Sequence, residues 1–347
     1  MRMDSLTGMR FAAAFMIVLY HTNALGGPLG AIRLDEGVSF FFILSGFVLA
    51  WSSTALDTKT FYRRRVARIY PIYVLLWFVG VAITSFAGQP QSPLSVVSTL
   101  TLTQAWFPSS VVYFGANGVG WSLSVEAFFY VIFPLLVWGI LRMSSGQRRL
   151  VALSCVALEA MIYVAFGHGM PRDLSFWVSY IFPPARLPEF VLGMVIALEV
   201  RDGWRIAWWP GAILLIPAAV WVEATPIGSE PHSIATLIPF ALLIAAGASS
   251  DLRARGTVFS GRLMVALGTA SYALYLLHQL VYRALILPGP IAHDSELLRA
   301  PLIIGAITVA IGASYLLCRF VEIPLEQRIR HGGPRVELPG QTRATGT

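Results

Sequence analysis

The stretch RRRVARIYPIYVLLWFVGVAITSFA, residues 63–87, sets Arg63, Arg64, Arg65 and Arg68 against a run, 69–87, that carries no charge. A helix rises about 1.5 Å per residue, so that run is long enough to cross a hydrocarbon core of about 30 Å. Basic residues on one flank hold such a helix with that flank at the cytoplasmic face. The same pattern repeats outward in both directions. Apolar runs at 9–25, 37–54, 122–141, 150–166, 185–200, 207–222, 234–249, 263–287 and 302–320 alternate with short polar or basic connections. The expected fold is therefore all-α, a polytopic membrane helix bundle of ten spans.

Composition excludes the alternatives. Hydrophobic residues make up 56% of the 347 and charged residues only 12%, against about 25% charged in soluble domains. The formal net charge of +7 lies between the apolar runs and reports topology, with no nucleic-acid surface implied. Cys155 and Cys318 both fall inside apolar runs, where they read as small packing residues, and no metal-ligand spacing is present. The first apolar run is read as a retained helix and not a cleaved leader, because Arg10 and His21 interrupt it. No internal repeat is visible. Residues 1–330 read as one membrane domain, and the Gly- and Pro-containing 331–347 as a disordered polar tail.

Charge asymmetry sets the orientation. With a cytoplasmic N-terminus and ten spans, the inner connections collect Lys59, Arg63 to Arg68, Arg142, Arg148, Arg149, Arg201, Arg205, Arg253, Arg255, Arg262, Arg328, Arg330 and Arg335. The outer ones keep Arg33, Arg172 and Arg299 beside Asp35, Glu36, Asp173, Glu223, Glu230, Asp294 and Glu296. Both termini are then cytoplasmic. Residues 94–106, short and rich in Ser and Thr, suit a re-entrant or interfacial helix. Counting them as a span would turn every later basic connection outward.

Ionisable groups inside spans are costly and so point to function. Arg10 and His21 are eleven positions apart, which puts them on one helix face about 16 Å apart along the axis. Axial rise places His21 about 18 Å, His278 about 21 Å and Glu126 about 23 Å from the inner side, one shared layer on three helices. Arg186 and Glu189 fall near it, either as a neutralising pair or as substrate contacts. A satisfied core histidine is the plain alternative for His21, and a topology anchor the plain alternative for the arginine run. Guanidinium groups also suit bidentate phosphate binding. No GxSxG, SxxK or HExxH arrangement occurs, so Ser122 and Ser124 read as packing or substrate contacts. The chemistry that remains is general-base catalysis by imidazole on an attacking hydroxyl.

Seven segments in order, SLTGMRFAAAFMIVLYH, GVSFFFILSGFVLAW, RRRVARIYPIY, WSLSVEAFFYVIFPLL, RLPEFVLGM, SYALYLLHQLV and VEIPLEQRIR, together resemble the acyltransferase-3 family of integral membrane O-acyltransferases. The resemblance runs to about Arg330. It implies transfer of an acyl group, commonly acetyl, from cytoplasmic acyl-CoA as cosubstrate to a hydroxyl of a sugar, glycan, lipid-linked intermediate or metabolite, in the bacterial cytoplasmic membrane. Carried onto this chain, His21 would be the general base, with Glu126 orienting it or binding the acceptor. Arg10, Arg65 and Arg68 would engage acyl-CoA; from position and residue chemistry alone, Arg186, Glu189, His278 and Ser124 are candidate substrate contacts. No permanently bound cofactor is expected. Ser39 stands where the family often carries an acid after GV, and Ala127 where a second Glu often follows Glu126. The hydrolase-like domain fused to some members is not in this chain. A transporter using the buried His and Glu as a proton relay is the rival reading.

Overall fold

The computed structural model describes residues 3–26, 33–53, 57–166, 170–224, 233–286 and 296–331. The predicted tail, apart from His331 at the end of the last helix, lies outside them. No strand occurs among the described residues. In chain order the helices are α1 (Asp4–Tyr20), α2 (Gly37–Trp51), α3 (Thr58–Phe86), α4 (Pro93–Leu100), α5 (Ser110–Tyr113), α6 (Trp121–Ile140), α7 (Ser145–Phe166) and α8 (Arg172–Phe176). There follow α9 (Leu187–Arg201), α10 (Trp209–Ala224), α11 (Ser233–Leu252), α12 (Arg262–Thr269), α13 (Ser271–Ile286), α14 (Glu296–Leu317) and α15 (Ile323–His331).

Every predicted span is helical, but the spans differ in kind. Five helical stretches, at α3, α6, α7, α11 and 300–330, are long and apolar enough to cross a membrane. Two bent helix pairs, 172–181 with 183–201 at 52° and 262–269 with 271–285 at 63°, are long and apolar enough only when each is taken together. Helices α1, α2 and α10 have 17, 15 and 16 residues and are short for a straight crossing. Length thus supports five to seven spans, while the count of ten and the side of each terminus rest on the sequence. Phe78, Leu135, Leu153, Val164 and Ile216 are exposed on the helix exteriors, as an apolar solvent allows.

Helix α3 begins eleven residues before the predicted span at 69. Asp57 caps it by accepting from the Thr60 backbone N–H at 3.2 Å. Arginine is a good helix former, so the basic run is itself helical and continues α3 beyond the apolar part. Helical periodicity then sorts the arginines. Phe61, Arg65, Arg68 and Ile72 share the inward face, while Arg63 and Arg64 are exposed.

Segment 94–106 dips into the bundle instead of lying across it. Tyr70, Tyr73 and Trp77, at helical spacing on α3, aim polar atoms at the end of α4. Tyr70 Oη donates to the Leu100 carbonyl at 2.8 Å, Tyr73 Oη to that of Thr99, and Trp77 Nε1 to Thr99 Oγ1 at 2.9 Å. The end of α4 is thereby satisfied by protein, as irregular backbone at membrane depth requires.

The tightest helix pair is α2 with α9. A Cβ on Gly46 would stand 1.9 Å from the Phe190 carbonyl oxygen, and one on Gly193 would stand 1.9 Å from that of Ile43. Only glycine permits that approach, the small-residue packing expected where lipid offers no hydrophobic drive. Contacts also match the ends of the helices. Arg148 pairs with Glu199 at 2.8 Å and with Asp202, joining the start of α7 to the end of α9. The Ser5 backbone N–H donates to Asp251 at 3.0 Å, joining the start of α1 to the end of α11. Basic connections therefore gather at one end of the bundle, as alternating spans require.

Candidate functional site

At the basic end a cavity of about 150 Å³ opens between α1, α2, α3, α6 and α13. Its polar lining includes Arg10, Arg65, Arg68, Ser45, Ser122, Glu126, Tyr130, Ser271, Tyr272 and Tyr275. The three arginines named from the sequence thus converge, but they are not equivalent. Arg68 is held by Glu322 at 2.5 Å and Glu326 at 3.1 Å, both from the VEIPLEQ segment. Arg65 packs its guanidinium 5.8 Å from the Phe61 and Tyr130 ring centroids and leaves its buried Nε without a hydrogen bond. No ion pair to Arg10 or Arg65 is found among the described residues. Two uncommitted cations in a narrow cavity suit an anionic ligand. The break before α13 adds Ser271, whose buried hydroxyl has no partner among the described residues, at the positive end of a 16-residue helix.

Glu126 belongs to this cavity. It accepts from Ser45 Oγ at 3.0 Å and from Tyr130 Oη, one turn on, at 2.5 Å. No hydrogen bond joins it to either histidine among the described residues.

Those two touch. His278 Nε2 lies 3.1 Å from His21 Nδ1, with ring centroids 5.1 Å apart. Each Nδ1 also faces the carbonyl one turn earlier, Ile17 at 2.9 Å for His21 and Leu274 at 3.1 Å for His278. A carbonyl only accepts, so each Nδ1 carries the proton. His278 Nε2 is then the acceptor of the His21 Nδ1–H, shared with Ile17. That leaves His21 Nε2 with a lone pair and no hydrogen-bond partner among the described residues. His278 is fully buried and His21 only partly. The contact holds the His21 ring by one nitrogen and leaves the other free to act as an acceptor. Tyr275 stands between the pair and the arginine cavity. Its ring is 6.2 Å from that of His278, its hydroxyl 2.7 Å from Ser122 Oγ, and it lines the cavity.

Arg186 and Glu189 form a separate, fully buried pair. Nε lies 2.9 Å from Oε2 and Nη2 donates to Oε1 at 3.0 Å, with Ser39 accepting at 2.9 Å. The guanidinium sits against Phe42 and Tyr180, 5.3 and 4.9 Å from the ring centroids. Neither residue lines the arginine cavity. Glu36, read from the sequence only as an outer-connection acid and not as a site residue, accepts from Ser39 at 3.3 Å and from Thr236 at 3.0 Å. It lies three residues before Ser39, about one helical turn, close enough for that bond. Ser124 accepts from the Ala105 backbone N–H at 3.3 Å and is away from the cavity, where Ser122 stands. Cys155 and Cys318 are buried, with Cys318 Sγ 3.6 Å from the Thr269 carbonyl.

A helical bundle with an apolar exterior, a cationic cavity and an oriented imidazole beyond it has the parts of a membrane-embedded transferase. The family model described as an acyltransferase domain matches residues 3–319, and the chain belongs to the acyltransferase-3 family. Acyl transfer, rather than transport, is therefore its activity. Acyltransferase MdmB of Streptomyces mycarofaciens is 34% identical over 371 aligned positions, 97% of this chain and 95% of that protein. Peptidoglycan O-acetyltransferase OatA of Listeria monocytogenes is 23% identical over 93% of this chain and 56% of that protein. O-acetyltransferase OatA of Staphylococcus aureus strain NCTC 8325 is 26% identical over 56% of this chain and 34% of that protein. The chain thus spans about a third to about half of the OatA proteins it matches. No solved structure gives a significant match.

Proposed function

We propose that this chain is an O-acyltransferase of the bacterial cytoplasmic membrane that moves an acetyl-type group from acyl-CoA to a hydroxyl of a glycan or other hydroxylated acceptor. The observation that carries the reading is the His21–His278 contact at 3.1 Å, which leaves His21 Nε2 unprotonated and unoccupied beyond the arginine cavity. Arg10 and Arg65 would hold the phosphates of the donor. The cavity, about 150 Å³, is small for a ligand site and suits a slender arm. Arg10 and His21 are about 16 Å apart along α1, a distance for an extended thioester-bearing arm to bridge.

In the reaction, His21 Nε2 removes the proton of the acceptor hydroxyl as its oxygen attacks the thioester carbonyl. The tetrahedral intermediate collapses with loss of the thiolate, which takes the proton back from the imidazolium. An ester and free CoA result. His278 holds the His21 ring, and Glu126 with Tyr130 and Ser45 orders the cavity wall next to the arm. The acetyl preference and a glycan acceptor draw support from the names of the OatA relatives.

The test is turnover by the purified full-length chain in lipid nanodiscs with radiolabelled acetyl-CoA and a panel of glycan and metabolite acceptors. Label should appear in ester linkage on a hydroxyl with wild type and not with His21→Ala. Equal transfer by His21→Ala would overturn the general-base assignment.

A further inference from the structure

A second cavity opens at the opposite end of the bundle. It is a cleft of about 640 Å³, lined among others by Thr84, Gln89, Gln91, Ser110, Phe114 and Arg283. That volume is within the range of small-molecule sites, about 300 to 1,000 Å³, which the arginine cavity is not. Three helices fix its position. On α3, Arg65 lies at the arginine cavity and Thr84 at the cleft, about 28 Å apart by axial rise. On α1, Arg10 lines the arginine cavity and His21 lies further along. On α13, Ser271, Tyr272 and Tyr275 line the arginine cavity, His278 meets His21, and Arg283 lines the cleft.

The cleft's chemistry is that of hydroxyl recognition. Ser110 offers an exposed hydroxyl, Gln89 an amide and Gln91 the NH₂ of an amide whose Oε1 accepts from Ser95 Oγ at 2.8 Å, and no carboxylate occurs among its described lining residues. Phe114 is 37% exposed there, an aromatic face available for stacking. Arg283 gives one N–H to the Ala116 carbonyl at 3.1 Å, leaving further donors of its planar fork. It follows His278 by five residues on α13, about 7.5 Å along the axis. Gly118 lies under it: a Cβ there would stand 2.5 Å from Gln279 Oε1 and 3.0 Å from Arg283 Nη2. Only glycine therefore lets the backbone at 118 approach α13 this closely.

We infer that this cleft is the acceptor site, in which Arg283 and Gln91 bind a neutral polyhydroxylated ligand of the oligosaccharide class and present its hydroxyl to His21 from the end opposite the donor. The inference rests on the acyl-transfer reading above and adds to it where the acceptor binds.

The experiment is calorimetric titration of the purified full chain in nanodiscs, with chitotetraose and maltotetraose as acceptor probes and acetyl-CoA as donor probe. At least one oligosaccharide should bind, and Gln91→Ala and Arg283→Ala should each weaken it about tenfold or more. Acetyl-CoA affinity should change less than about twofold. Because Arg283 also holds a backbone carbonyl, Ser110→Cys modified with a bulky maleimide provides an independent block at an exposed position. It should abolish oligosaccharide binding and spare acetyl-CoA. The inference is overturned if neither oligosaccharide binds wild type, or if binding survives the Gln91 and Ser110 changes. Cleft-dependent oligosaccharide binding in a chain that neither binds acetyl-CoA nor transfers from it would instead sink the acyl-transfer reading and leave the cleft standing.

Discussion

His21 and His278 touch, yet their surroundings give them different tasks. His278 spends both ring nitrogens, on Leu274 and on His21, whereas His21 keeps one. Deleting a general base usually lowers the rate about 10² to 10⁴-fold. His21→Ala should therefore lose kcat on that scale, with acyl-CoA binding kept. His278→Ala should cost about 10²-fold, because the base remains but its ring is no longer held. Equal, total loss in both variants would mean that the pair acts as one unit. The arginines should divide likewise. Arg10→Ala and Arg65→Ala should raise KM for acyl-CoA with little change in melting temperature. Arg68→Ala should lower stability as well, since it abandons Glu322, which is 1% exposed as a side chain. A KM effect of Arg68→Ala without a stability effect would assign it to the donor alone. The first-helix histidine and the inner arginines were legible because a charge stands out in an apolar run. Glu322, Glu326 and Glu36 were not, because they sit at span ends, where carboxylates are ordinary. Arg283 was hidden in the same way, since an arginine in a last turn normally reaches for the interface.

At the level of elements, sequence periodicity located each long helix but not where helices break. Residues 263–287 read as one run, yet the chain turns at Ala270 and bends by 63°. The cause is tertiary. A Cβ on Gly268 would lie 1.8 Å from the Thr7 carbonyl oxygen, so α12 is pressed against α1 and α13 must leave in another direction. The bend before α9 has a local cause in Pro183, which favours the extended backbone seen at Phe182, φ −65° and ψ 122°. The α2–α9 crossing yields a sharp prediction. Gly193→Ala should destabilise the bundle by about 1–3 kcal/mol through overpacking, seen as a lower melting temperature in detergent. Gly139→Ala on α6 meets nothing within 4 Å and should be neutral or slightly stabilising. Matching behaviour of the two variants would show that the close approach is not a constraint on the fold.

For the whole molecule, the alternation of apolar runs and the bias of basic residues made the architecture legible, while α1, α2 and α10 are too short for length alone to count them as crossings. Contacts between chain-distant segments give an independent constraint. Arg148 binds the end of α9, Arg68 binds the segment after α14, and Ser5 binds Asp251. At the other end, the Arg33 backbone N–H donates to Glu223 at 2.7 Å and Arg283 to the Ala116 carbonyl. These pairs hold whichever way the bundle is inserted, and the positive-inside bias then chooses the insertion. Single cysteines at Arg149, whose side chain is 75% exposed, and at Val258, 83% exposed, should react with a membrane-impermeant thiol reagent only from the cytoplasmic side. One at Ser110, in the opposite cleft, should react only from outside. The native cysteines are both buried and so contribute little background. All three reacting with sides exchanged would invert the molecule and leave the fold intact. Arg149 and Val258 reacting from opposite sides would break the shared basic end, and with it the placement of a donor cavity and an acceptor cleft on opposite faces of one histidine pair.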